Sequence, residues 1–331
     1  MHAQHLLLLI TLFAPAVLGW GMLGHRTTAL LASRFLHKDA AQSIRAILEP
    51  QSMVTASTWA DYYSHTAEGR FSAPWHWIDA KDAPPHTCGV DFSRDCGGAG
   101  CIVSAIANHT SRVVDKQLEL GEREMSLKWI IHFLGELMCG GMWACAMADW
   151  GAIGDIHQPL HTENLLRGGN SILVGFDGHD TNLHHVWDTA IPEKLRGGNS
   201  IRHAVTWADD LYKEIVNGRW SNATARQQPW GVCLDTSKSE ECALSWAVET
   251  NKIMCAYVLP ATYPKGFVGA ELNGTYYDGA IEIVEKQVAI AGFRMAGWLN
   301  AIFVGNDMME EMIKQSQDED EKVWEVHTDE L

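Results

Sequence analysis

Apolar residues recur at three- and four-residue spacing in four stretches, Met22–Leu36, Met125–Gly135, Ile201–Val216 and Ala280–Val304. That period predicts helices with one face turned to a core. In the last stretch the stripe comprises Ile281, Val284, Val288, Phe293, Leu299 and Phe303. No internal repeat or low-complexity linker divides the chain, so the expected fold class is all-α, a single mostly helical domain over residues 20–305. Two flanking segments break the pattern. Residues 1–19 hold a short apolar run, Leu6 to Leu12, followed by Pro15 and the small residue Gly19, which reads as a secretory signal rather than a membrane span. Residues 306–331 are mostly acidic and polar and read as a solvated tail.

Composition narrows the function. The 331 residues are 47% hydrophobic, enough for a real core, and carry 41 acidic against 25 basic side chains for a formal charge of -16. A partner gripped mainly through a basic surface, such as duplex DNA held by its phosphates, is excluded by that balance. A polyanionic substrate would need bound cations to attract it. Sixteen His raise the question of metal first, because imidazole is the commonest metal ligand.

The compartment follows from a second set of residues. Sequons at Asn108, Asn222 and Asn273 fit a secreted, glycosylated surface. Eight Cys in such a setting suggest disulfides: Cys96 and Cys101 bracket a glycine-rich loop, Cys233 and Cys242 an acidic one, and Cys88 with Cys255 would close the longest loop. A Cys-ligated zinc site is disfavoured because no paired C-x2-C spacing occurs. The expected location is extracellular. The final Thr328-Asp329-Glu330-Leu331 departs in its first position from an endoplasmic-reticulum retrieval signal and leaves the lumen as the alternative.

His and Asp then recur where a core would not need them. His184 and Asp188 stand at i and i+4, which on a helix stacks an imidazole and a carboxylate on one face. His161 follows Gln158-Pro159-Leu160, and three such ligands with an open position would make a catalytic zinc site. Asp61, His76 and His132, the last inside the apolar run Trp129 to Leu134, each need a partner if buried, and a shared cation supplies one. His25 lies five residues after Trp20, whose amine signal removal would free.

In order along the chain, Trp20-Gly21-Met22-Leu23-Gly24-His25, Trp59-Ala60-Asp61, His76-Trp77-Ile78-Asp79, Ile131-His132-Phe133-Leu134-Gly135, Gln158-Pro159-Leu160-His161, Gly168-Gly169-Asn170 and Asn182-Leu183-His184 with Trp187-Asp188 form a series of blocks. This series resembles the fungal single-strand-specific zinc nucleases, the S-one/P-one nuclease family. The resemblance implies a mostly α-helical domain holding three zinc ions in a cleft. It makes Asp61, His76 and His132 ligands of the first ion and assigns the second to the Trp20 amine and carbonyl with His25. His161, His184 and Asp188 would hold the third. A carboxylate bridges the first two ions, so that Asp61 and the bridge, Asp155, are the expected catalytic carboxylates. Trp77 and Asp79 resemble the base-binding pair, and Asn170 joins them as a substrate contact. The implied activity is endonucleolytic hydrolysis of single-stranded DNA and RNA to 5′-phosphorylated products, with 3′-nucleotides also cleaved. No stable protein partner is implied. The alternatives are a zinc-dependent phospholipase C, which should lack the Trp77 and Asp79 slot, or a catalytically impaired metal-binding homologue.

The pattern breaks at two places. Deleting Glu136 to Gly154 restores the family register and lowers the Cys count from eight to six, so residues 136–154 read as an anomalous insertion, translated from a retained intron or a mispredicted exon boundary. Asp155, returning beside His132, is the favoured bridging carboxylate; Glu136, at i+4 from His132, is the other. Ser64 stands where several relatives have a basic residue suited to phosphate, leaving His65 or Arg70 as substitutes.

Overall fold

The computed structural model describes residues 22–57, 59–134, 155–221, 233 and 235–305. The signal segment, Trp20, the 136–154 insertion with Glu136, Asn222 and the acidic tail lie outside the described residues. The architecture is all-α, with one small antiparallel hairpin of β1 (Leu173–Phe176) and β2 (His179–Asn182). Principal helices span Met22–Ser33, Lys38–Leu48, Ile102–Val114, Leu120–Leu134, Ile201–Val216, Ser239–Ile253 and Thr275–Phe303. Among the described residues no helix is long and apolar enough to cross a membrane.

The Ile201–Val216 helix matches its expected span. Ser200 caps it with His203, and Ala204, Trp207, Ala208 and Leu211 form the buried stripe at i, i+3, i+4 and i+7. The first helix ends at Ser33, short of the expected Leu36, and the helix carrying His132 starts at Leu120 rather than Met125. The Thr275–Phe303 helix begins five residues before its expected start and is buried on every side from Gln287 to Ala301. It is the central post of the domain, since a helix that is covered all round must be surrounded by other elements.

Polar side chains on this post tie the other segments to it. Asn300 accepts from the His37 backbone N–H at 2.8 Å and donates to the Phe35 carbonyl at 2.9 Å. Gln287 donates to the His157 carbonyl at 2.8 Å, which seats the segment after Asp155 against the post. Gly292 lets the Met22–Ser33 helix approach, because a Cβ there would lie 2.8 Å from a methyl carbon of Leu31. All three expected disulfides are formed, Cys88–Cys255, Cys96–Cys101 and Cys233–Cys242. The first joins residues 167 apart and so constrains the unfolded chain most.

Candidate metal centre

Eight side chains that the sequence singles out converge: His25, Asp61, His76, His132, Asp155, His161, His184 and Asp188, none more than 4% exposed. Each comes from a different local solution. His25 sits on the first helix, Asp61 on the short Trp59–Ser64 helix, His76 at the end of the Arg70–His76 turn and His132 on the Leu120–Leu134 helix. Asp155 and His161 occupy short 3-10 turns, the second begun by Pro159. His184 and Asp188 do share a face, but a wide π turn over Val186–Ala190 replaces the expected α-helical spacing there and brings His184 Nε2 to 3.0 Å from Asp188 Oδ2.

The groups are compact. His76 Nδ1 lies 3.5 Å and His132 Nε2 3.6 Å from Asp61 Oδ1. Asp155 Oδ2 lies 3.0 Å from His76 Nδ1 and 3.4 Å from His132 Nε2, so Asp155 does return beside His132. Its other oxygen is 3.3 Å from His161 Nδ1, linking this group to the next. Potential ligand atoms of His25, Asp61 and His132, of His76, His132 and Asp155, and of His161, His184 and Asp188 lie within 4.8 Å of one another in each set.

Three imidazoles are oriented by backbone carbonyls. Nδ1 of His132 donates to Ser57 O at 2.7 Å, Nδ1 of His161 to His76 O at 2.8 Å, and Nδ1 of His184 to Gly168 O at 2.5 Å. A proton fixed on Nδ1 leaves Nε2 as the bare nitrogen, and such carbonyl support is how proteins orient metal-binding His. Gln158 adds a side-chain support by donating to Asp188 Oδ1 at 2.5 Å. Gly168 can supply its carbonyl because it stands at φ +57°, where a Cβ would lie 2.7 Å from the Leu160 oxygen.

What these groups lack is a proton or cation to share. Both Asp61 oxygens, Asp155 Oδ1 and the Nε2 atoms of His76 and His161 are buried with no hydrogen-bond partner among the described residues. Such atoms are costly unless something fills the gap. Burial pushes the Asp61 carboxyl up to about 8 and Asp155 well above the usual carboxylate range, with nearby Asp188 adding to the latter. Burial likewise holds His76 and His161 well below the ordinary imidazole value. Burial also opposes charge on His184, but Asp188 and the Gly168 carbonyl outweigh it and raise its pKa. Neutral imidazoles beside carboxyls that resist ionisation form a donor set fitted to a divalent cation, which would hold the carboxylates charged. The set, nitrogen and oxygen without sulfur, suits zinc.

The profile of the S1/P1 nuclease family matches residues 20–138 and 150–304. The chain belongs to the S1/P1 nuclease family. It is 39% identical to Nuclease S1 of Aspergillus oryzae over 293 residues, 87% of this chain and 93% of that protein. Against Nuclease P1 of Penicillium citrinum it is also 39% identical, over 86% of this chain and 97% of the other. Endonuclease 3 of Arabidopsis thaliana is 28% identical over 303 residues, 90% of this chain and 93% of that protein. The chain is therefore a hydrolase of a nuclease family, and its His and Asp groups are able to hold metal.

The residues expected from the resemblance to contact substrate, Trp77, Asp79 and Asn170, adjoin this centre along the chain. From His76 to Ala80 burial alternates, with His76, Ile78 and Ala80 buried and Trp77 and Asp79 half-buried, so the last two share one face of an extended segment. Backbone bonds hold that segment: His161 O accepts from Ile78 N at 2.9 Å and Trp77 O from Ile102 N at 3.0 Å. Burial raises the Asp79 carboxyl, against the pull of Lys81 and of the Trp77 indole N–H. Asn170 is half-buried beyond Gly168 and Gly169. Ser64 is 4% exposed, and its hydroxyl donates to the Asp61 carbonyl at 2.8 Å, so it is a helix-internal group and offers nothing to a phosphate. The supporting carbonyls of Ser57 and Gly168 escaped sequence reasoning because a carbonyl carries no residue-type signal. The Gly168-Gly169 pair was the one visible hint.

Proposed function

We propose that this chain is a secreted, zinc-dependent endonuclease that hydrolyses single-stranded DNA and RNA to 5′-phosphorylated products and also cleaves 3′-nucleotides. The observation that carries the reading is the trio His132, His161 and His184, each with Nδ1 spent on a backbone carbonyl, so that Nε2 is left unprotonated: those of His161 and His184 lie buried without a hydrogen-bond partner among the described residues, and that of His132 lies 3.0 Å from His76 Nδ1. On this reading three ions would be held, one by Asp61, His76 and His132, one by Trp20 with His25, and one by His161, His184 and Asp188, with Asp155 as the shared carboxylate of the first two. Zinc bound there would supply Lewis acidity, easing ionisation of the attacking water and balancing charge on phosphorus and the leaving 3′ oxygen.

The chain's own residues do the rest. Asp61 and Asp155 keep the ligand nitrogens in register across the shared centre. Trp77 offers a ring to stack on a base, a contact worth roughly 1 to 3 kcal/mol and indifferent to sequence. Asp79, two residues on and on the same face, accepts hydrogen bonds from the base edge. A base paired and stacked in a duplex cannot enter such a slot, which accounts for strand preference without sequence readout. Three disulfides support an oxidising compartment, and Asn108 is exposed on its helix, as a glycosylation site requires. Asn273 and Asn222 are the other proposed glycan sites.

Residues 136–154 we read as absent from the mature enzyme. Support comes from the interruption of the family match between 138 and 150 and from the position of Asp155 beside His132. A tryptic peptide joining Gly135 to Asp155 in secreted protein is the expected result; mature protein containing Cys139 and Cys145 contradicts it. For the activity, the test is hydrolysis of a single-stranded oligonucleotide, its duplex and phosphatidylcholine by the purified chain. Cleavage confined to the single strand, leaving 5′ phosphates, is expected. Hydrolysis of the lipid alone would make the protein a phospholipase C instead.

A further inference from the structure

Four consecutive residues, Leu166, Arg167, Gly168 and Gly169, have left-handed backbone, at φ 49°, 62°, 57° and 79°. Glycine enters this region freely, whereas Leu and Arg do so only at a cost in energy. The turn is nevertheless locked. Arg167 N donates to Asn164 O at 3.0 Å, Gly169 N to Leu165 O at 2.9 Å and Ser171 N to Leu166 O at 3.0 Å. Burial does not explain the strain, because Leu166 is 47% exposed and Arg167 is exposed too. Strained residues held by their surroundings concentrate at ligand clamps.

The turn has two outputs, one of which reaches a ligand of the centre. The Gly168 carbonyl holds His184. The Arg167 carbonyl accepts from Asn170 twice, from its backbone N–H at 3.2 Å and from its side-chain Nδ2 at 2.9 Å. Arg167 thus lies between the support of one ligand and the amide proposed to touch substrate. Its guanidinium forms no ion pair among the described residues, in a chain of formal charge -16. Arg94, Arg112, Arg196 and Arg219 are each paired with a carboxylate, whereas Arg45, Arg70 and Arg202 also form no ion pair among the described residues; Arg167 differs from those three in adjoining the carbonyl that holds His184. An unpaired, planar, bidentate donor is the side chain best matched to a phosphate diester.

We propose that Arg167 is a substrate-binding residue whose guanidinium holds a phosphate of the single strand beside the His161, His184 and Asp188 group. The left-handed turn fixes that cation and the Asn170 amide relative to the centre, and Arg167 supplies the cationic contact that Ser64 cannot. This inference rests on the nuclease reading above.

The test uses the zinc-loaded full chain and a fluorescein-labelled, hydrolysis-resistant phosphorothioate oligothymidylate, with binding followed by anisotropy across a salt series. Two neutral variants, Arg167→Gly and Arg167→Asn, are chosen because both residues tolerate left-handed backbone and so preserve the turn. Both are expected to keep wild-type zinc content and melting temperature, to bind about tenfold more weakly, and to lose about 0.7 from the slope of log affinity against log salt, as one phosphate contact dictates. A merely structural role would not move that slope. Wild-type affinity and slope in either folded variant overturns the proposal. If the wild-type chain neither binds nor cuts a single strand, the nuclease reading fails and this inference falls with it; if it cuts while the variants bind unchanged, only the role of Arg167 is lost.

Discussion

Nδ1 of His184 and the carbonyl oxygen of Gly168 lie 2.5 Å apart, and Gly168 reaches that position only with φ at +57°. A Cβ at residue 168 would press to 2.7 Å from the Leu160 oxygen and 3.5 Å from His184 Nδ1. Gly168→Ala is therefore expected to turn His184 away from Asp188. Loss of a supporting hydrogen bond to a ligand costs about 10- to 100-fold in metal affinity or activity. Zinc titration and turnover of the variant check this; a variant with wild-type values for both refutes the orienting role.

Asp155 spans two of the three ligand groups, at 3.0 Å from His76 Nδ1 through one oxygen and 3.3 Å from His161 Nδ1 through the other. Asp155→Asn keeps the shape and removes the charge. Activity should fall by at least about a hundredfold, with reduced zinc content, since the change strikes a proposed ligand itself and ligand supports alone are worth 10- to 100-fold. Metal analysis alongside single-turnover hydrolysis separates lost binding from lost chemistry.

The stability of the metal-free protein should depend on pH in a definite sense. Burial raises the Asp61 carboxyl to about 8, and a group whose pKa is raised on folding contributes stability that disappears as pH climbs through the folded value. His76, His132 and His161 are lowered by burial, so they weaken the fold only below the ordinary imidazole range near ~6.5. Between about 6.5 and 8 the carboxyl effect acts without that opposition, and the raised pKa of His184 acts in the same direction. The chelated protein should lose melting temperature across that window. The gap between zinc-loaded and chelated samples should be wider at the upper end than at the lower, as calorimetry can show.

Trp77→Ala should leave zinc content unchanged and raise KM for an oligonucleotide. Loss of a stacking contact of roughly 1 to 3 kcal/mol corresponds to about 5- to 150-fold. A core role would appear instead as a lowered melting temperature with KM intact.

Replacing Cys88 and Cys255 together by Ser removes the bridge between residues 167 apart. The expected cost is about 2–5 kcal/mol of stability, read by denaturant unfolding under non-reducing conditions. The same treatment of Cys96 and Cys101, only 5 residues apart, should cost less.

Where the sequence was legible, a physical period or an out-of-place residue type made it so. The Ile201–Val216 helix advertises itself through one clean apolar stripe and a Ser200 cap. The apolar stripe alone starts the central helix five residues late, because Thr275 to Gly279 carry none of it. The hairpin lies outside the expected elements: Asp177-Gly178, both at positive φ, is the dipeptide that tight two-residue turns favour, but strands of four residues are too short to show a period. The ligands were legible because His132 sits in an apolar run where a lone imidazole is costly. What stayed hidden was relational: the π turn that sets His184 over Asp188, and the carbonyls of Ser57, His76 and Gly168 that fix each ring. Backbone geometry creates these, and no residue type announces them.

The central claim, a buried polynuclear zinc site, is tested most directly by elemental analysis of the purified, processed protein before and after dialysis against a chelator. The account expects close to three zinc ions per chain, removed by chelation together with all single-strand hydrolysis and restored with it on adding zinc. A correctly folded protein that carries no divalent ion and takes none up would contradict the account.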